Sequence, residues 1–209
     1  MSYYGSTSLF RTYSKLTTSD ISDSDVVYLL KIASRRVLED ITVYRKLEDL
    51  TGTIDGSNKT FRTKSKPIAD NNYDKTVDKN DVTVYGYDED TYGNISLTTL
   101  TVNSINADLG QVTLETAPNA TDYDKLVISY RYWNIYNQSI DWSLIDIATT
   151  YYACYLAYIT EKGLLPITYR LGSLAVTWGR GREDLRPHIL FLRLYESTII
   201  QIRGIPIGV

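Results

Sequence analysis

Between Tyr44 and Asn134 the apolar side chains of this chain recur at every second position, whereas on either side they recur at every third and fourth. A period of 2 lines one face of a strand and a period of 3.6 one face of a helix, so the two regimes cannot be one kind of element. The chain therefore predicts a helical fold interrupted by a block of strands. That class is α+β: a three-helix core, or helical bundle, with an antiparallel β-sandwich or barrel-like domain inserted between helix one and helix two. The expected boundaries are an extended N-terminal arm over 1–19, a helical core over 20–43 and 136–203, the inserted β domain over 44–135, and an extended tail over 204–209. A length of 209 residues accommodates such a core with one sizeable insertion.

The helical core is organised around Ile140–Lys162. Leu144, Ala148, Tyr151, Tyr155 and Tyr158 form one stripe, and Ile145, Ala148, Tyr152, Leu156 and Ile159 form the adjoining one. A helix apolar over so much of its circumference needs neighbours on more than one side. Gly163 and Pro166 supply stop signals. Asp141, Asp146 and Glu161 argue against a lipid-facing span. Helix one opens near Ser22–Asp25, where Ser and Asp cap well and acidic groups suit the dipole. It then places Val26, Leu29, Leu30, Ala33, Val37 and Ile41 on one face, which is expected to dock on the central helix. Helix three spans Glu183–Arg203 with Pro187 tolerated in its first turn. Its stripes are Ile189, Leu192, Tyr195, Ile199, Ile202 and, beside them, Leu190, Leu194, Thr198.

In the β block, Asp55-Gly56 marks a tight turn within Thr53–Thr63. Strands are expected over Asp81–Tyr87, Asn94–Ile105 and Gln111–Thr116, with the segment NADLG as a turn. Lys125–Trp133 is the clearest strand, with Leu126, Ile128, Tyr130 and Tyr132 on one face. After the central helix, Tyr169–Thr177 reads as a strand or hairpin arm. The first nineteen residues are rich in Ser, Thr and Tyr without periodicity, which gives the extended arm. They carry no apolar stretch behind early positive charge, so no secretory signal is expected there.

The chemistry is sparse. One histidine, His188, and one cysteine, Cys154, exclude a disulfide framework and leave little for a zinc site. Cys154 reads as a small buried hydrophobe and His188 as a surface residue. No P-loop, GxSxG, HExxH or CxxC pattern occurs, so no catalytic residue, cofactor or metal ligand is assigned, and no enzyme activity is expected. The aspartates of Asp70–Asp81 could offer oxygen ligands to calcium, but interleaved lysines and the absence of an EF-hand pattern favour a solvated polar loop. Arg180 and Arg182, set between glycines, make a cationic tip for phosphate or an acidic partner surface, or else a turn with two solvated charges. The apolar tail with Ile205, Pro206, Ile207 and Val209 suits docking on a neighbour. Nineteen tyrosines against three phenylalanines suit surfaces that are half core and half wet, interfaces among them, although β-rich composition alone is a second explanation. A net charge of −3 gives no reason to expect duplex DNA bound on the outer surface.

The segments SDSDVVYLLKIASRRVLED, ahead of the β block, and YRLGSLAVTWG, ahead of the last helix, resemble those of the head–tail connector, or adaptor, proteins of long-tailed double-stranded DNA viruses. The run TGTIDGSNKTFRT…DVTVYGY…GQVTLETAP…LVISYRYW is similar to a module of phage structural proteins. The resemblance implies a structural virion protein at the neck of the particle, made in the host cytoplasm. It further implies a homo-oligomeric ring of about twelve copies, head-to-tail, between the portal protein and the next tail or neck protein. Packaged DNA would pass through its lumen, and no membrane would be involved. A reading from another class is a carbohydrate-binding or adhesive β module on a helical stalk, with exposed tyrosines and Trp133 as stacking platforms, which predicts aromatics clustered on one open face of the β block and a monomer or trimer. A small hydrolase is a third, and needs a pocket of convergent polar groups.

Overall fold

The computed structural model describes residues 2–135, 140–160, 168–171, 174–177 and 187–204. The chain divides into two compact units, Met1–Ile41 with Ile135–Val209, and Thr42–Asn134. The first holds helices α1 (Thr7–Ser14), α2 (Asp23–Ile41), α3 (Trp142–Thr160) and α4 (Pro187–Arg203), and the second is built of antiparallel sheets. The class is α+β.

Among the described residues the helical unit has four helices, not the expected three, because part of the N-terminal arm is helical. Ser6 caps α1, its Oγ accepting the Leu9 N–H at 3.1 Å, and Lys15 ends it in the left-handed region at φ 60°. Eight residues of low intrinsic preference do not hold a helix alone. Tertiary bonds do it here: Tyr4 N–H to Ser34 Oγ at 2.8 Å, Gly5 N–H to Asp146 Oδ1 at 2.7 Å, and Tyr158 O–H to the Ser14 carbonyl at 2.6 Å. Arg11 then ties the exit from α1 to the start of α2, donating to the carbonyls of Leu16, Thr17 and Ile21 and pairing with Asp23 at 2.7 Å.

Ser22 caps α2, accepting from the Asp25 N–H. All six residues of its expected face are buried, with Ser34 and Leu38 beside them. The hub helix α3 packs against α1, α2 and α4. Its buried seam is made largely of small residues, Ala148, Thr149, Thr150, Ala153, Cys154 and Ala157, which let α2 approach through Leu30 and Ala33. The tyrosines of the sequence stripes flank that seam, and of these only Tyr158 is fully inside. The described part of α4 begins at Pro187, and Phe191, absent from both sequence stripes, is completely buried and stacks on Tyr158 at 5.8 Å. Where one strand or hairpin arm was expected over Tyr169–Thr177, two strands, β8 (Thr168–Leu171) and β9 (Leu174–Thr177), pair antiparallel. The stop signals Gly163 and Pro166 lie outside the described residues.

The β unit contains β1 (Thr42–Asp49), β2 (Thr60–Arg62), β3 (Thr83–Glu89), β4 (Ile95–Leu100), β5 (Val102–Asn106), β6 (Gln111–Leu114) and β7 (Lys125–Trp133). One sheet has the order β1-β7-β3-β4 and the other β2-β6-β5. Phe61, Val102, Val112 and Leu114 from the second sheet share a core with Val84, Leu126, Ile128 and Tyr130 from the first. Neither a closed barrel nor a closed sandwich results. The stretch expected as one strand breaks at Thr101, with β4 pairing β3 in one sheet and β5 pairing β6 in the other, and β4 runs out beyond the core. The arm before Asp55-Gly56 is reduced to a single bridge, Thr51 to Arg62. First and last strands close the unit on itself, with Thr42 opposite Trp133.

Candidate functional site

Among the described residues, a concavity lies inside the helical unit where α2, α3 and α4 converge. It is an open groove of about 590 Å³ lined by Arg36 and Asp40 from α2, Tyr152 and Tyr155 from α3, and Tyr195, Ile199, Ile200 and Arg203 among others from α4. The floor is aromatic. Tyr152 lies 4.9 Å from Tyr195 and 5.4 Å from Tyr155, ring centre to ring centre, in the tilted geometry aromatic pairs prefer.

One residue organises the polar side. The Asp40 carboxylate accepts from the Tyr195 hydroxyl and from Arg36 Nε at 3.0 Å, while the Asp40 carbonyl accepts from Arg203 Nη2. Asp40 thus ties the last turn of α2 to two turns of α4. Burial, reinforced by the hydrogen bond to Asp40, drives the Tyr195 phenol far above its ordinary range, and burial also raises Tyr152. Both hydroxyls stay protonated at neutral pH, which suits donors and contact surfaces and not nucleophiles. The arrangement can accept apolar or aromatic side chains against three tyrosines, with the Arg36 and Glu196 charges at its rim.

Cys154 is fully buried, its Sγ 3.9 Å from the Phe10 carbonyl, and burial lifts the thiol well above its usual value, as its reading as a small core residue requires. The Asp70–Asp81 loop is largely exposed between its ends, in line with a solvated polar loop, but its two terminal carboxylates are not. Asp70 and Asp81 are both buried and act as its internal scaffold: Asp70 accepts from the N–H groups of Asn72, Tyr73 and Lys75, and Asp81 from those of Asn71, Asn72 and Asp78. Among the described residues no group of three or more His, Cys, Asp or Glu side chains is placed to hold a metal ion. No described helix is long and apolar enough to cross a membrane.

Every residue assigned from the sequence to partner binding, Arg180, Arg182, Ile205, Pro206, Ile207 and Val209, lies outside the described residues. The groove was only half visible in the sequence: Tyr152, Tyr155 and Tyr195 stand in the apolar stripes, but nothing local joins Arg36, Asp40 and Arg203 to them. The spacing of Arg36 and Asp40, four residues apart on one helix, was the one available signal. No protein-family model matches the chain, and no curated protein matches it.

Proposed function

We propose that this protein is a structural component of a virus particle, an adaptor that forms a ring between portal and tail of a long-tailed double-stranded DNA virus. In this reading the ring holds about twelve copies joined head-to-tail, packaged DNA crosses its lumen, and the next neck protein docks on its far side. The observation that carries the reading is the α2–α3–α4 groove: tyrosines on the hub helix that its own neighbours leave half-covered, beside the exposed Ile200. Half-wet aromatic surface of this kind is what a subunit contact uses. Modest net acidity also fits a passage that must not retain phosphate. Arg180, Arg182 and the tail residues Ile205, Pro206, Ile207 and Val209 are the proposed additional partner contacts.

The groove is tested with Ile200→Glu, which places a charge at an exposed rim position and leaves the core untouched. Assembly onto portal protein should weaken by at least about tenfold, because the contact would bury an unpaired charge, with the helical circular dichroism unchanged. Assembly indistinguishable from wild type would remove the groove from the subunit contact.

The carbohydrate-binding reading draws on the outer face of the four-stranded sheet, where the strand register places Tyr44, Tyr85 and Tyr87 on one side. Two of these rings are already covered by cations, Lys125 Nζ at 4.5 Å over Tyr87 and Arg131 at 5.4 Å over Tyr44. One face of each of those rings is taken, and Trp133, the other expected stacking platform, is buried, so the adaptor reading is preferred.

A further inference from the structure

The two edges of the four-stranded sheet are built differently. At one edge, β1 carries Arg45, Lys46, Glu48 and Asp49, and its register slips between Arg45 and Glu48. Charges and bulges are how proteins keep an edge from recruiting another strand. At the other edge, β4 has none of this. It is ISLTTL, without charge or proline, paired to β3 over its whole length with no slip, and no charged residue occurs anywhere from Thr91 to Ala107. Ile95 is 60% and Leu97 41% exposed.

The direction of its free backbone groups follows from the hairpin. Asp90 N–H donates to the Asn94 carbonyl, so the narrow pairs with β3 are Asp88/Ser96, Gly86/Thr98 and Val84/Leu100. The Tyr87 carbonyl, which accepts from Asp124 N–H, points to the opposite side, in agreement with that alternation. Ile95, Leu97 and Thr99 therefore turn their N–H and C=O groups to the open edge.

We propose that β4 is a docking edge for the β4 strand of a second copy, giving a two-fold antiparallel pair centred on Leu97. Two-fold symmetry about an axis normal to the sheet keeps each residue on its own face, so only registers pairing residues of the same parity are allowed. Centring on Leu97 puts Leu97 opposite its own mate and Ile95 opposite Thr99, the three residues whose backbone groups face outward. The same register gathers both copies of Ile95 and Leu97 on one face and sets Ser96 opposite Thr98 on the other. No like charges meet, because the strand has none. That self-complementarity is what selects a second copy over a foreign strand. The contact is isologous, and so is separate from a head-to-tail ring contact and does not rest on the adaptor reading.

The test uses the whole protein. Light scattering across a concentration series should show a monomer–dimer equilibrium that Leu97→Lys abolishes, since it places two like charges face to face, while circular dichroism stays unchanged. Under mild oxidation Leu97→Cys should cross-link as a dimer. Thr99→Cys should not, because it opposes Ile95 and its own mate lies about 13 Å away, beyond disulfide reach. A wild type that is monomeric at every concentration, association that survives Leu97→Lys, or cross-linking at Thr99 in place of Leu97 would each overturn the proposal. Dimers that fail to assemble on portal protein would leave it standing and count against the adaptor reading alone.

Discussion

Asp81 is a carboxylate placed where water cannot reach it. Burial pushes its carboxyl up to about 6, the charge of Asp70 adding to the effect and the N–H groups of Asp78, Asn71 and Asn72 opposing it. The folded value lies above the ordinary 3.8, so the fold binds this proton more tightly than the unfolded chain does. Its contribution to stability is therefore complete below about pH 4 and is lost as the pH rises through about 6. Asp20, Asp55, Asp90 and Asp141 are shifted the other way by hydrogen bonds, and their contributions are already complete above the unfolded carboxylate range. Urea midpoints measured from pH 4 to pH 7 should fall more steeply for wild type than for Asp81→Asn. Parallel curves would show that Asp81 keeps an ordinary proton affinity in the fold. The sequence shows the cluster of aspartates but not this outcome, because burial depends on which turns fold over them.

Between elements, the hub helix is held by more partners than its sequence reveals. The six apolar positions of α2 were legible because they are numerous, regularly spaced and all buried, and β7 was legible because it is long and rich in β-branched and aromatic residues. Two elements were not. Without its bonds to Ser34, Asp146 and Tyr158, α1 is a short Ser/Thr/Tyr stretch, and β1 hides its period behind four charges and a left-handed Leu47 at φ 52°. The groove was illegible for a related reason, since Arg36, Asp40 and Arg203 meet only after α2 and α4 have docked. The α1 contact has a direct chemical reporter in Cys154, buried beneath Phe10. Phe10→Ala removes a fully buried ring and should lower stability by about 3–5 kcal/mol. With α1 loosened, the rate of thiol labelling under native conditions should rise at least about tenfold. A rate equal to that of wild type would show that α1 does not guard the hub.

At the scale of the molecule, a β unit is carried inside a helical one without breaking it. The strands at the two ends of the insertion pair with each other, so the chain leaves the helical unit at Ile41 and the β unit closes at Thr42 and Trp133. Residues distant in sequence, α2 on one side of the insertion and α3 and α4 on the other, then build one helical core. That core presents the tyrosine-lined groove proposed as a subunit contact, and the β unit presents the uncharged strand edge proposed to pair with a second copy. The proposal that joins these features to a function is the ring. Its most direct measurement is the mass and negative-stain image of the protein mixed with portal protein. The adaptor reading predicts a closed ring of about twelve copies seated on the portal, whereas protein that remains apart from the portal, with no ring in any field, would contradict it.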